Sequence, residues 1–281
     1  MLADFHVHSN FSDDSVYAPA HVARDAYEQG IEALCFTDHV DYGVKPDAGE
    51  TPWRYDPDNG KGVTNVDYAR YFPALGALRE LWEHRLSIGI GLEFGVQRHT
   101  VPAFERVLDQ WGGQLDFVLL SIHQVGDREF WNGDYQQGRE QAQIHGAYYE
   151  EMLAVIDAFS GWDSLAHMDL IRRYDPYGPY PFDATRDQVA AILEQLIAQD
   201  KALEVNTSSW RYRLDDLQPS TPLLKLYRDL GGTLLTLGSD SHKPEHLGAH
   251  LSDAQQALRD LGFESFVTYE HHAPTEHGLV E

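Results

Sequence analysis

Short apolar runs alternate along the chain with longer segments in which apolar residues recur at helical spacing. The apolar runs predict seven β-strands, at about 3–8, 32–37, 87–93, 115–122, 163–167, 202–206 and 233–238. The helical spacing predicts seven helices, at about 19–29, 66–84, 101–111, 139–159, 185–199, 221–230 and 252–261. Such alternation predicts a parallel, barrel-like α/β fold. The run 266–268 is too short to count as a barrel strand.

Histidine and acidic residues stand at the ends of the predicted strands. His6 and His8 project from the same face of an extended chain. Five later runs end in similar residues: Thr37-Asp38-His39, Gly91-Leu92-Glu93, Ser121-Ile122-His123, Ala166-His167-Met168-Asp169 and Gly238-Ser239-Asp240-Ser241-His242. In parallel barrels the functional residues lie at the carboxyl ends of the strands. One His-x-His pair is often an ordinary surface feature, but this repetition predicts a metal site of imidazoles and carboxylates.

Three long connections, 40–65, 124–138 and 168–184, follow predicted strands and carry aromatic and acidic residues. Their aromatic groups are Trp53-Arg54-Tyr55, Phe130-Trp131-Asn132 and Tyr174-Asp175-Pro176-Tyr177. Long loops in a compact domain are usually functional or disordered, and this aromatic content favours lids or pocket walls. An ordered surface excursion is the alternative for any one loop. We therefore expect the loops around a small-molecule pocket, on the same face as the strand-end residues.

Composition narrows the class of protein. The 281 residues suffice for one large domain, and a single domain over 1–281 is predicted. The 45 acidic and 21 basic residues give a net charge of −24, which argues against nucleic-acid and anionic membrane partners. No apolar run approaches the roughly 20 residues of a membrane span, and we expect no signal peptide. The single cysteine, Cys35, is consistent with a reducing cytosol, so a cytoplasmic location is expected.

Taken together and in order, these motifs resemble those of the PHP (polymerase and histidinol phosphatase) metallophosphoesterases. The resemblance runs from Asp4 to Gly262. It is strongest towards the histidinol-phosphatase subgroup, in the runs around His123, Asn206 and Asp240. It implies an α/β fold of the distorted (β/α)7 TIM-like barrel type with two to three divalent metal ions, Zn, Fe or Mn. The sequence leaves the native metal, the number of occupied sites and the oligomeric state open.

Carried over residue by residue, the resemblance implies nine metal ligands. One metal would be held by His6, His8, Glu93 and Asp240, a second by Glu93, His123 and His167, and a third by Asp14, His39 and His242. Glu93 would bridge the first two metals, and Asp13 is the alternative to Asp14. Metal-ligating histidines usually need an acceptor behind the ring. Candidates for that role are Asp38, Asp169 and Ser239.

The remaining site residues concern the phosphate and the leaving group. A guanidinium matches phosphate oxygens bidentately, so Arg211, after the sixth strand, is the first choice for substrate binding. Arg172 or Arg173, after His167, is the second choice. The leaving alkoxide would take its proton from Asp169, a spare histidine or a metal-bound water. The predicted catalytic set is Glu93, Asp240 and Asp169.

The resemblance implies a phosphomonoesterase that hydrolyses L-histidinol phosphate in histidine biosynthesis, by attack of a metal-activated hydroxide on phosphorus. One alternative keeps the fold and acts on another small monoester or a nucleotide. A second is an amidohydrolase-like C–N hydrolase, but those enzymes commonly bridge their metals with a modified lysine, and no lysine ends a predicted strand. A third, a non-catalytic metal-binding domain, predicts gaps in the ligand set, whereas all nine positions are filled.

Overall fold

A computed structural model describes residues 1–279. The strands are β1 Ala3–Val7, β2 Ala33–Phe36, β3 His39–Val40, β4 Ser87–Gly95, β5 Phe117–Ser121, β6 Gln124–Val125, β7 Arg128–Glu129, β8 Ser164–Leu165, β9 Ala202–Asn206, β10 Leu235–Gly238, β11 Ser265–Glu270 and β12 Ala273–Gly278. The α-helices are α1 Pro19–Glu28, α2 Tyr68–Trp82, α3 Val101–Trp111, α4 Gln141–Ala158, α5 Arg186–Ala198, α6 Ser208–Arg211, α7 Thr221–Asp229 and α8 Leu251–Asp260.

Seven parallel strands form a barrel, in the order β1–β2–β4–β5–β8–β9–β10, which is also their order along the chain. The sequences of the strands are continuous apolar runs because both faces of each strand are buried, the outer face under helices and the inner face in the barrel interior. In β5, for example, all five residues are buried. The short β3 extends the barrel beside the end of β4, where His39 aligns with Glu93. The predicted distorted (β/α)7 barrel is confirmed.

The barrel closes between β1 and the segment that follows β10, a junction we call the seam. The His8 amide donates to the Ser241 carbonyl at 2.8 Å, and the Ser241 amide donates to the His6 carbonyl at 3.2 Å. Below these bonds, the Ser239 amide donates to the carboxylate of Asp4 at 2.8 Å. The seam therefore lies directly beside the His-x-His motif.

The predicted elements agree with the structure within a few residues at most ends. The strand predicted at 163–167 is shorter than expected, because only Ser164–Leu165 pairs with its neighbours. The run 266–268 lies inside β11, which pairs antiparallel with β12 and not with a barrel strand. The run is therefore not a barrel strand, as predicted. The hairpin of β6 and β7, the short helix α6 and the strand β12 were not predicted.

The β11–β12 hairpin covers the amino end of the barrel, opposite the predicted site. Its His272 amide donates to the carbonyl of Asp116, just before β5, at 2.8 Å. The His272 ring lies 2.8 Å from the carboxylate of Asp163, just before β8. The Tyr269 ring packs at 5.1 Å from that of Phe117. Across residues 1–279, none of the helices has the length and apolar character needed to span a membrane.

Candidate metal centre

The carboxyl end of the barrel brings the nine predicted ligand side chains together. The set comprises His6 and His8 at the end of β1, Asp14 in the loop that follows, His39 in β3, Glu93 in β4, His123 after β5, His167 after β8, and Asp240 and His242 after β10. Eight of the nine come from strand ends or the residues just beyond them. The parallel strands place them at one edge of the sheet, because their carboxyl ends all point the same way.

Glu93 lies at the centre of this cluster. Its Oε2 is 3.2 Å from His6 Nε2 and 2.9 Å from His39 Nδ1. Its Oε1 is 3.1 Å from His123 Nε2 and 2.8 Å from His167 Nε2. Burial alone would raise the pKa of Glu93, yet the surrounding imidazoles hold that pKa well below its usual range. Glu93 is thus a buried carboxylate with imidazoles on both oxygens, an arrangement suited to a bridging ligand.

Two further groups of side chains flank Glu93. Asp240 Oδ1 lies 3.7 Å from the Nε2 atoms of both His6 and His8. Asp14 Oδ2 lies 3.1 Å from His242 Nε2 and 3.4 Å from His39 Nε2. These groups correspond to the first and third predicted metals.

Asp13, the alternative to Asp14, is directed elsewhere. Its Oδ1 lies 2.7 Å from the ammonium of Lys45. Asp14, in contrast, faces two imidazoles of the cluster. The geometry therefore favours Asp14 over Asp13 as the ligand.

The donor atoms of the cluster fit divalent metals. No hydrogen bond of good geometry within the described chain reaches the buried atoms His6 Nε2, His8 Nε2, His39 Nδ1 and Glu93 Oε2, although some of them lie close together. Buried polar atoms are rarely left unpaired, because each one costs free energy. Four overlapping groups of three donors lie within 4.8 Å of one another: His8, His39 and His242; His6, Glu93 and His167; His6, His8 and Asp240; and His39, Asp41 and His123. Mixed imidazole and carboxylate donors suit Zn, Fe or Mn.

His8 has the protonation state that metal binding requires. Burial lowers its pKa well below the usual value, and the nearby His242 and His39 rings lower it further. The two rings stack on His8 at 4.1 and 4.2 Å. His8 is therefore neutral near pH 7, with a free nitrogen lone pair, as a metal ligand must be.

The acceptors behind the ligand histidines are not the predicted ones. Glu204 Oε1 lies 2.5 Å from His6 Nδ1, and Asp41 Oδ1 lies 2.8 Å from His123 Nδ1. The prediction of Asp38, Asp169 and Ser239 for this role was wrong. Asp38 accepts from Ser9 and Ser12, Ser239 donates to Asp4, and Asp169 pairs with Arg172. One signal was present: Glu204 is an acid inside an apolar strand, on the same face as Asn206.

A cavity of about 490 Å³ opens above the cluster. All three aromatic loops contribute to its wall, through Tyr55, Trp131 and Tyr174 among others. The prediction that these loops form pocket walls is confirmed. Arg54 joins two of them, because it forms an ion pair with Glu129 and lies over the Trp131 ring at 5.6 Å. The volume is in the range of small-molecule sites.

Two of the three predicted substrate-binding arginines reach this cavity. Arg211 donates to the Asp240 carbonyl at 2.9 Å, and Arg173 Nη1 lies 3.6 Å from Asp240 Oδ2. Arg173 is 6% exposed, and its Nε has no partner within the described residues. Both guanidinium groups lie on the Asp240 side of the cavity.

Arg172 and Asp169 are placed outside the cavity lining, contrary to expectation. Asp169 Oδ2 accepts from Arg172 Nη1 at 2.8 Å and from the Ser220 amide at 2.9 Å. The pair ties the segment after β8 to the start of α7. The geometry therefore gives no support to Arg172 as a phosphate ligand or to Asp169 as a proton donor.

Comparison with known proteins agrees with this geometry. The profile of the PHP domain matches residues 4–208. A histidinol-phosphatase of Lactococcus lactis is 31% identical over 277 residues, which cover 95% of this chain and 93% of that protein. A probable histidinol-phosphatase of Deinococcus radiodurans is 28% identical over 273 residues, which cover 96% and 97%.

Solved structures have the same fold. The crystal structure of a histidinol phosphate phosphatase from Lactococcus lactis, complexed with Zn, L-histidinol and phosphate, matches with a TM-score of 0.80 and 29% identity. The match covers 97% of this chain and 98% of that one. A putative histidinol phosphatase from Listeria monocytogenes matches with a TM-score of 0.74 at 19% identity, covering 89% of this chain and 99% of that one. The second match concerns the fold alone.

Proposed function

Because the chain belongs to the PHP domain family, we propose that it is a metal-dependent phosphomonoesterase that hydrolyses L-histidinol phosphate to L-histidinol and phosphate. The observation that carries the proposal is a cluster of imidazoles and carboxylates around Glu93, under a cavity that two arginines also line. The similarity over nearly the whole chain to a histidinol-phosphatase, whose crystal structure contains L-histidinol and phosphate, supports the substrate.

The metal ligands we assign are the nine predicted ones. His6, His8, Glu93 and Asp240 would hold one metal, Glu93, His123 and His167 a second, and Asp14, His39 and His242 a third. Divalent metals bound there supply positive charge to phosphate oxygens and a water nucleophile near neutral pH. The donor set, and the Zn in the Lactococcus structure, support two to three ions of Zn, Fe or Mn.

Arg173 and Arg211 hold the phosphate against the cluster. A guanidinium supplies paired N–H donors that match phosphate oxygens and stabilise charge that grows on them. Arg173 is already fixed before substrate binds, because it donates to Ser208 Oγ at 2.5 Å and Gln218 Oε1 at 2.8 Å. Its guanidinium carbon also lies 3.8 Å from the centre of the Tyr212 ring. This preorganisation lowers the entropy cost of orienting the phosphate.

The outer cavity suits the rest of the substrate. Tyr55, Trp131 and Asp58 also line the cavity. Histidinol carries an ammonium and an imidazole, which aromatic faces and carboxylates attract.

Of the two lysines that line the cavity, Lys45 is already paired with Asp13 and Asp41. The residue at the centre of the cluster is the Glu93 carboxylate, which favours a phosphatase over a lysine-bridged C–N hydrolase.

The test is phosphate release from L-histidinol phosphate beside sugar phosphates, nucleotides and p-nitrophenyl phosphate, with protein loaded with Mn, Zn or Fe. We expect a kcat/KM for histidinol phosphate of about 10⁴ M⁻¹s⁻¹ or more, well above the panel. His8→Ala is expected to abolish turnover. Equal turnover across the panel would overturn the substrate assignment. Metal binding without turnover of any phosphate would overturn the phosphatase itself.

A further inference from the structure

Lys45 is a buried cation beside the cluster, and the chemistry above does not use it. Its Nζ lies 2.7 Å from Asp13 Oδ1 and 2.9 Å from Asp41 Oδ2. The side chain is 8% exposed, and the two carboxylates are equally buried or more so. Buried charges are stable only when they are paired and hydrogen-bonded. One ammonium therefore holds two buried carboxylates that belong to different segments of the chain.

On one side, Lys45 reaches the second predicted metal position through Asp41. The other oxygen of Asp41 lies 2.8 Å from His123 Nδ1, while His123 Nε2 faces Glu93 at 3.1 Å. An acceptor behind the ring fixes the tautomer and directs the opposite nitrogen at the metal. A Cβ on Gly95 would lie 1.8 Å from Asp41 Oδ1 and 2.9 Å from His123 Nδ1. Glycine at the end of β4 is therefore required for this contact.

On the other side, Lys45 reaches the third predicted metal position through the loop after β1. Asp13 pairs with Lys45, and its carbonyl accepts from Asn59 Nδ2 at 2.9 Å. The next residue, Asp14, faces His242 and His39 at 3.1 and 3.4 Å. Anchoring Asp13 fixes the backbone from which Asp14 projects.

We propose that Lys45 is a positioning residue that couples the His123 position to the Asp14 position, so that the second and third metals are retained or lost together. The inference rests on the metal ligands assigned under the proposed function. Elsewhere in residues 1–279, no lysine or arginine lies within ion-pair distance of Asp13 or Asp41. Without the ammonium, Asp13 and Asp41 would lose the cation that they share, and the orientation of both Asp14 and His123 would be weakened.

The experiment compares Lys45→Met, which keeps the length of the side chain but removes the charge, with the wild type. Lys225→Met, on the exposed face of α7, is the matched control. Each protein is loaded with Mn or Zn and gel-filtered, and its metal content is measured by mass spectrometry. Lys45→Met is expected to lose two metal positions together, with metal affinity there about 10- to 100-fold weaker. Its kcat should fall with little change in KM, whereas Lys225→Met should match the wild type.

Asp13→Asn and Asp41→Asn test the coupling itself. Each removes one carboxylate charge but keeps the size of the side chain and an acceptor oxygen, so these variants can be used if Lys45→Met fails to fold. If Lys45 couples the two positions, each single variant loses metal at both, and the double variant is no worse than either. Losses confined to one position and additive in the double variant would overturn the coupling. Full metal content with a raised KM in Lys45→Met would show that Lys45 contacts the substrate, and would also overturn the coupling. Failure of the proposed function would appear in the wild type, as no metal bound or no phosphate released.

Discussion

Glu204 Oε1 lies 2.5 Å from Nδ1 of His6, behind the ring whose Nε2 faces Glu93 and Asp240. The other oxygen of Glu204 accepts the amide of His167 at 2.7 Å. One carboxylate of β9 therefore orients two of the proposed ligand residues, His6 of β1 and His167 after β8. It fixes the proton of His6 on Nδ1 and leaves the opposite lone pair for metal.

Glu204→Gln should weaken metal binding without unfolding the protein. The amide keeps the size and an acceptor oxygen but loses the charge that makes the His6 ring a strong donor. We expect metal affinity at the His6 position to fall by about 10- to 100-fold, because such acceptors tune the ligands that they hold. The measurement is metal content after dialysis against graded chelator. Glu194→Gln, on the exposed side of α5, is the control, and equal retention in both variants would contradict the assignment.

The two cavity arginines and Arg172 should behave differently on substitution. Arg173→Met and Arg211→Met should each lower kcat/KM for histidinol phosphate by roughly 10²–10³, the usual cost of a lost charge-stabilising donor. Arg172→Met should keep activity but lower the free energy of unfolding by about 1–3 kcal/mol, because Asp169 loses a partner while buried. Steady-state kinetics and urea unfolding separate the two effects. A larger activity loss in Arg172→Met than in Arg173→Met would refute the placement.

Gly95→Ala should damage both stability and metal binding. Its new Cβ would meet the Asp41 carboxylate and the His123 ring, which are held in place by Lys45 and Glu93. We expect a loss of about 1–3 kcal/mol in the free energy of unfolding, as for other overpacked sites, and reduced metal content. Gly146→Ala, inside α4 with nothing within 4 Å of the added carbon, is the control. It should be neutral or stabilising by about 0.4–1 kcal/mol. Equal stability of the two variants would show that the Asp41–His123 contact is not tight.

His145 should make stability depend on pH away from the metal cluster. Burial lowers its pKa, and the hydrogen bond to Asp175 at 2.7 Å offsets this only in part. The unfolded chain therefore binds a proton at His145 that the folded chain does not. The contribution of His145 to the free energy of unfolding is lost as the pH falls below about 6.5. His145→Gln removes this titration but can still donate to Asp175.

Urea unfolding of metal-free wild type and His145→Gln, from about pH 7.5 to pH 5.5, measures the effect. The free energy of unfolding of the wild type should fall more steeply with acidification than that of the variant. Parallel curves would mean that His145 does not differ in protonation between the folded and unfolded states.

The local spacing of apolar residues was sufficient to predict the seven barrel strands, but not the strands β6, β7 and β12 outside the barrel. The seven strands and their helices are each specified by apolar spacing within one segment, so the sequence indicates them directly. The strand β12, Ala273–Gly278, is almost wholly exposed and has no apolar alternation, so nothing in its sequence marks it as a strand. The two-residue strands β6 and β7 are too short for any period to be read.

The metal site was likewise predictable only where a pattern within one segment was sufficient. Strand-end residues were predictable because a parallel barrel collects them, whatever the details of packing. Glu204 pairs with a histidine 198 positions away, which only the folded barrel decides. Arg172 and Arg173 are neighbours in the 3₁₀ helix Leu170–Tyr174, which is too short for its sequence pattern to show which of them faces the cavity.

The seam has a consequence for the order in which the protein assembles. It joins residues as far apart as Asp4 and Ser239, which are 235 positions apart in the chain. Contacts of such long range require closure of the largest loops and form slowly. Of the four ligands proposed for the first metal, His6 and His8 come from one side of this junction, Asp240 comes from the other, and Glu93 comes from β4 between them. Metal binding is therefore expected to accompany the last step of barrel closure. Bound metal should then slow the opening of the barrel at the hydrogen bonds of the His8 and Ser241 amides.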